Sequence, residues 1–551
     1  IKDDEIIIDE AQVEEEEQVP FEANLAEYLD DYVLGSISKK LISDVDSDKE
    51  SRKEWMKTYT DGLKYLGMRF DEQRSQPFEG SSGVIHPILA ESVTQFQAQA
   101  YKELLPAQGP VKTQIIGQRN ANTEMQAERV SEFMNYYIMN EMPEYDPELD
   151  QLLFYLPLSG SAFKKVYYDA SKRRPVSKFV PAEDLLVPYE ATDLLSAERV
   201  THIVSMSSNE VRKLQLSGFY MDTELTGNDV EIRDSVSEEI DKIQGMEPEY
   251  SNDEQRKLYE IHTVEDIEGF EDLDENGEPT GLKLPYIITI DESSQTVLSI
   301  RRNYEPQDPI RNKINYFVQY KFLPGLGFYG LGLSHMIGGL SKATTSILRQ
   351  LIDAGTLSNL PAGFKARGIR IRDEASPLQP GEFRDVDAPG GALRDSLMPL
   401  PYKEPSSVLF SLLGLLVQSG QRFASIADMN VGDSNAAMPV GTTVALLEKG
   451  TKVMSAIHKR LHYSQKSEFK ILARVFGEFL PPVYPYETGS GSREIKLEDF
   501  DRKVDIIPVS DPNIFSMSQR VVLAQELLAM VQSNPEIHGP QGLYEAYYRM
   551  Y

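Results

Sequence analysis

NYFVQYKF (315–322), followed at once by PGLGFYGLG (324–332), opens the stretch on which the chain is organised. The first run reads as a strand and the second as a glycine turn. A helix is expected from Leu333 to about Leu357. A segment rich in Gly, Pro and charge (359–404) separates it from a second helix over 405–427. Pro405 suits a first-turn position there. The polar loop NVGDSNAAMPVG (430–441) comes next, and a third helix, the longest, is expected from about Thr442 to Leu480.

The first of these helices carries Leu333, Ile337, Leu340, Thr344, Ile347, Leu351 and Ala354 in a near-heptad series. Gly338, Gly339, Ser341, Ala343, Thr345 and Ser346 crowd its other faces, and small residues let neighbours approach from more than one side. On the second helix Leu409, Leu412 and Leu416 are the candidate packing positions. Arg422 is the only formal charge between Pro405 and Ala427. Two such helices cannot cover their apolar surface alone, so partners are expected from elsewhere in the fold or from other copies of the chain.

This order of strand, PGLGFYGLG, small-residue helix, insertion, apolar helix, Gly/Asn/Pro loop and the helix GTTVALLEKGTKVMSAIHKRLHYSQKSEFKILARVF (441–476) resembles the portal protein of tailed bacteriophages. The segment RSQPFEGSSGVIHPILAESVTQFQAQAYKELLPA (74–107) resembles the amino-terminal wing of portals from short-tailed and related phages. The likeness spans roughly residues 60–530. It implies an α+β portal fold: an α/β wing, a two-helix stem, a small α/β clip, a long wing helix and a helical crown. Mapped onto this chain, an acidic tail covers 1–23 and the wing 24–330. The stem helices cover 331–358 and 405–428, the clip 359–404 and the tunnel loop 429–441. The wing resumes over 442–510, and the crown occupies 511–551.

The resemblance further implies a ring of twelve copies through which double-stranded DNA is packaged and ejected. Terminase, a tail adaptor, the major capsid protein and scaffold would be its partners, in a virion assembled in the host cytoplasm. It assigns Asn430, Gly432, Asp433, Ser434, Asn435 and Met438 to the channel loop. Leu333, Ile337, Leu340, Ile347, Leu351, Leu409, Leu412 and Leu416 would pack the stem. Lys365, Arg367, Arg370, Arg372 and Arg384 would dock partners at the clip. It implies no catalytic residue, no metal and no cofactor.

Composition sets the bounds. A length of 551 residues suggests two to four domains. Lys and Arg number 56 against 87 Asp and Glu, a net charge of −31. The overall field therefore opposes tight nucleic-acid binding, which suits either an ordinary acidic protein or a surface that tolerates DNA without gripping it. The longest apolar candidate, Val408–Val417, is interrupted by Ser411 and Gly414 and is too short to span a bilayer. The absence of cysteine excludes disulfides and cysteine metal sites. The chain begins at Ile1, so residues are expected before it.

Upstream, residues 1–20 are acidic and read as a loose tail. The stretch 24–72 reads as mostly helical, with Trp55, Tyr59 and Leu63 as a core stripe. Helices are expected before Pro106 and over about 122–141, and β segments at 111–116, 162–169, 175–188 and 199–207. Ser208 is read as the cap of a short helix. Residues 221–253 read as an acidic exposed linker, with strands at 257–264, 284–290 and 296–304. PPVYPY and TGSGS read as a loop, followed by a strand at 503–509 and a helix at 516–533.

Three motifs compete with the portal reading. Gly325-x-Gly327-x-x-Gly330 is a literal dinucleotide fingerprint and supports an alternative, a nucleotide-dependent enzyme. No Asp or Glu ends a second strand about 20 residues on, as that fold requires. A further alternative is another virion structural protein, such as a scaffold or head-completion component. His458 and His462 stand at i, i+4, but Lys459 occupies the position where a zinc protease needs Glu. The basic face of the long helix is expected to pair with acidic surface on this or a neighbouring subunit, with DNA contact as the other possibility. In 359–404 the basic and acidic side chains balance, which fits a salt-bridged small sheet and a docking ring alike.

Overall fold

The computed structural model describes residues 19–68, 77–78, 80–116, 119–226, 235–246, 255–273, 278–359, 402–423, 440–488, 491–501 and 504–509, four short strands between 363 and 399, and residues 528, 531 and 532. Helices and strands are both present, so the class is mixed α+β. The chain divides into two compact units. The first draws on 1–52, 184–232 and 250–315, and the second on 53–183, 233–249 and 316–551. The stretch 24–330, expected as one wing, thus contributes to both.

The first unit is a five-stranded antiparallel sheet in the order β4-β5-β6-β7-β8, covered by helix α1 (Asp31–Ser51). Its strands are β4 (Leu185–Leu186), β5 (Val200–Ser207), β6 (Gln255–Glu265), β7 (Leu284–Asp291) and β8 (Val297–Arg302). Leu34, Leu41 and Val45 of α1 share a core with Tyr259, Ile261, Ile288 and Ile300. α6 (Ser208–Leu216) is closed by a capping box, Ser207 with Glu210, one residue before the expected cap. β8 ends the sheet, and an unpaired edge is a liability. Here Asn24 acts as a strand residue: its Nδ2 donates to Leu298 O (3.1 Å) and its Oδ1 accepts from Ile300 N (2.9 Å).

The second unit holds α2 (Lys53–Lys64), α3 (Ile88–Leu104), α4 (Ala121–Tyr136), α5 (Tyr145–Ser159) and α7 (Ser235–Gln244). A three-stranded antiparallel sheet lies among them, ordered β3-β2-β9, from β2 (Ser161–Asp169), β3 (Arg174–Val180) and β9 (Phe317–Lys321). α8 (Leu333–Asn359) leaves this sheet through the glycine turn. α9 (Ser407–Phe423) packs back on it, and α10 (Val440–Phe479) crosses the sheet. β1 (Val111–Ile115) pairs with β16 (Val504–Pro508). Between α8 and α9, β10 (Gly363–Lys365) pairs with β13 (Leu397–Pro399), and β11 (Arg370–Ile371) with β12 (Val386–Asp387).

Two segments differ from the sequence reading. The linker at 221–253 contains α7, whose Val236, Ile240 and Ile243 lie at i, i+4 and i+7 and join the core; the seven charged and polar residues around them hid a short amphipathic stripe. The loop after Leu480 contains a hairpin, β14 (Val483–Thr488) with β15 (Gly491–Lys496). Tyr486 and Tyr484 meet the Phe133 ring at 5.3 and 5.8 Å, so aromatic burial overrides the prolines around them. The helix expected at 516–533 lies outside the described residues except at 528, 531 and 532.

Asn24→Ala removes both bonds to the β8 edge and leaves Ile300 N unpaired, while Leu298 O keeps its bond from Met221 N (2.7 Å). It is expected to destabilise the first unit by about 2 kcal/mol, read by chemical unfolding, with faster amide exchange at Ile300. Unchanged exchange there would show that the edge is satisfied otherwise.

Candidate functional site

The site begins at the turn between β9 and α8. The chain doubles back through a β-bridge, Leu331 N donating to Leu323 O (3.0 Å). Gly330 N donates to Ser161 Oγ (2.7 Å) and Gly332 N to His335 Nδ1 (3.3 Å). Gln319 Nε2 holds Phe328 O (3.0 Å), and Trp55 Nε1 holds Gly330 O (3.0 Å). A Cβ at Gly330 would stand 2.3 Å from Gly160 O, and one at Gly332 2.3 Å from Leu158 O. These glycines therefore let two backbones touch. A phosphate cradle needs free N–H groups, and those of Gly330, Leu331 and Gly332 are already engaged. β9 also lies antiparallel to its neighbour β2, whereas a dinucleotide unit needs a parallel pair.

An aromatic clasp secures the turn. Trp55 stacks on Tyr329 (4.8 Å between centroids) and on His335 (5.3 Å). Tyr59 and Leu63 of the expected stripe are fully buried, while Trp55 is half-buried and serves the turn. His335 Nε2 lies 3.3 Å from Trp55 O, and its Nδ1 accepts from Gly332, so the neutral ring fits both partners. Burial depresses its pKa below the ordinary 6.5, and the Trp55 carbonyl opposes this only in part.

α8 carries two faces, an apolar stripe and a polar one. Leu333, Ile337 and Thr344 are buried on the first, against α2, α3 and α5. The second is polar: Ser341, Thr345, Arg349 and Asp353 follow one another at i+4. Ser341 Oγ donates to Tyr65 O (3.3 Å), and Thr345 Oγ1 accepts from His86 N (3.1 Å). Arg349 donates to Val84 O (2.7 Å) and Gly83 O (2.5 Å), and Asp353 Oδ1 accepts from Ser82 N (2.7 Å). An extended strap, 81–87, is thereby laid along the helix. Sequence reading saw small residues here and missed the stripe, although its spacing was legible.

The apolar stripe also meets α9. A Cβ at Gly420 would stand 2.9 Å from Leu340 Cδ2 and 2.4 Å from Ile88 Cδ1. Ile347 and Leu351 share the Leu340 face and are half-buried. On α9, Leu409, Leu413 and Leu416 are half-buried in register with Gly420, so Leu409 and Leu416 lie on the side turned toward α8. Both flanks of that side are bare: Val408 (74% exposed), Leu415 (60%) and Leu412 (39%) share one, and Phe410 (69%) lies on the other. Phe410 and Leu415 were not among the expected packing residues.

The remaining candidates fall elsewhere. Asn430, Gly432, Asp433, Ser434, Asn435 and Met438 lie outside the described residues, as do Arg367, Arg372 and Arg384. Lys365 ends β10 and Arg370 begins β11. Among the described residues, part of the basic face of α10 is taken up within the subunit. Lys466 and Lys470 both reach Asp505 (2.7 and 3.0 Å), and Arg460 donates to Phe322 O (2.7 Å). His458 pairs with Glu103. Among the described residues no group of three His, Cys, Asp or Glu could hold a metal. No described helix is long and apolar enough to cross a membrane.

Two outcomes follow. Gly330→Ala is expected to cost about 3 kcal/mol because its Cβ strikes backbone, whereas Gly327→Ala, with open space around it, should stay within about 0.5 kcal/mol; thermal unfolding of both variants checks this. A folded-state pKa held below the unfolded value means the unfolded chain takes up the proton first. Stability from His335 is thus complete above pH 6.5 and is lost as pH falls below it, by at most about 1.4 kcal/mol per pH unit. His86 is depressed by burial in the same direction. His335→Gln should therefore flatten, without abolishing, the decline in stability between pH 7 and 5.5, measured by urea unfolding. No protein-family model matches the chain, and no curated protein matches it.

Proposed function

We propose that the chain is a phage portal protein: a homo-oligomeric ring, set at one capsid vertex, whose channel passes double-stranded DNA. The observation that carries this reading is the bare apolar flanks of α9. Val408, Leu412 and Leu415 share one exposed flank and Phe410 lies on another, on a helix with a single formal charge, and no described element covers either flank. Surfaces of this kind mark contacts with another chain. A contact between two different faces of identical subunits closes into a ring when its rotation permits. The resemblance in element order supplies the portal identity and the expectation of twelve copies.

In this proposal α8 and α9 form the stem and the segment between them the clip. Lys365, Arg367, Arg370, Arg372 and Arg384 dock terminase and the tail adaptor there, and the major capsid protein and scaffold engage the ring during assembly. Residues 429–441 face the channel. The acidic balance of −31 suits a conduit for a polyanion, since many fixed Lys/Arg–phosphate contacts would arrest its passage. No catalytic residue or cofactor has a part in this proposal.

Native mass spectrometry and end-on electron micrographs are the test. The unsubstituted chain is expected as a closed ring. Phe410→Asp with Leu415→Asp should disperse it to folded monomers, because both side chains are more than half exposed within the subunit. A folded monomer of the unsubstituted chain at every concentration tried would overturn the proposal.

A further inference from the structure

A fully buried charged node lies where α10 crosses the β3-β2-β9 sheet. Lys164 of β2 and Glu468 of α10 are both 0% exposed, with Nζ 3.0 Å from Oε1. Ser177 Oγ of β3 donates to the same oxygen (2.7 Å), and the Tyr320 hydroxyl of β9 donates to Oε2. The Lys164 ammonium also sits 3.9 Å above the Tyr145 ring. Burial, reinforced by the Glu468 charge, pushes the Tyr145 and Tyr320 phenols well up, so both stay neutral. Every strand of the sheet thus contributes a partner to one carboxylate.

The buried face of α10 explains why such a node is useful. It is apolar at one end, Ile457 and Leu461, and again at the other, Leu472 and Phe476. Between them, beside the buried Phe469, it is polar: Ser464 donates to Gln319 O (2.8 Å), Gln465 to Leu104 O (3.1 Å), and Glu468 binds the node. A slip of four residues would still bring Ile457 to the Leu461 site and Leu472 to the Phe476 site, so the apolar ends of the face alone do not fix the register; the polar middle does, because Leu461 would fall on the Gln465 site and Glu468 on the Leu472 site. The same slip would strand Lys164 as an unpaired buried charge. A polar residue within an apolar seam sets register in the same way in coiled coils.

We infer that the Lys164–Glu468 node is a register lock that makes the C-terminal half of α10 and the β3-β2-β9 sheet one mechanical body. β9 runs directly into the glycine turn and α8. A displacement of α10 at the node is therefore passed to the start of α8 instead of being absorbed by sliding. The inference holds whether or not the chain forms a ring.

The chain contains no cysteine, so spin labels can be placed cleanly at Tyr463→Cys on α10 and Ser171→Cys in the β2–β3 turn, both exposed. Electron–electron distance measurements should give one distance in the otherwise unsubstituted chain. Lys164→Met with Glu468→Leu, which keeps the volume and removes the charges, should add a second population displaced by about 6 Å, four residues of helix. A folded paired variant that keeps one distance would overturn the inference. Ser177→Ala and Tyr320→Phe, each removing one neutral hydrogen bond, supply a second measurement that does not depend on the paired variant folding. In each, amide exchange should rise several-fold in 457–479 and 317–321 together. A rise confined to the strand carrying the substitution would equally overturn it.

Discussion

The close approach of two backbones at Gly160 is the constraint on which the second unit depends. Gly160 ends α5 in the left-handed region (φ 87°), and Gly330 and Gly332 press against it with no side chain between. That contact fixes where β9 stops and where α8 starts. The Trp55–Tyr329–His335 clasp and the Leu323–Leu331 bridge then hold the turn from outside. A helix launched from so constrained a turn has a set direction. Its apolar stripe meets the core and α9, and its polar face the strap, because that direction is set.

Much of the architecture was legible in the sequence, for physical reasons that can be named. α8 starts at the expected Leu333 because a glycine-rich turn precedes an apolar 3.6-residue period. The long helix is legible in the sequence because Ile457, Leu461, Phe469, Leu472 and Phe476 keep that period for several turns. What stayed hidden depends on tertiary partners. The glycines of the turn matched a nucleotide motif, and only the position of Gly160 shows their use in packing. Nothing in the local pattern says that Leu409 faces α8 while Phe410 faces away. That requires the phase of α9, set by Gly420 against Leu340 and Ile88.

The charged groups separate in a similar way. Seven Lys and Arg side chains on the long helix read as a basic stripe, yet Lys466, Lys470 and Arg460 find partners on β16 and at the end of β9. Exposed pairs of this kind are worth little individually. The Lys164–Glu468 pair differs because both ions are out of water, where a lost partner is costly. A chain with so large an acidic excess thus keeps one fully buried pair at the crossing of its longest helix.

The strap along α8 has an evolutionary consequence. The bonds by which Ser341, Thr345, Arg349 and Asp353 hold the strap go to main-chain atoms of Tyr65, Ser82, Gly83, Val84 and His86. Peptide groups are the same whatever side chains they carry. Substitutions at Ser82 and Val84 should therefore drift freely between related chains, while the four helix positions that grip them stay fixed. The signature of this segment would be written in α8, more than 250 residues downstream of the strap it serves.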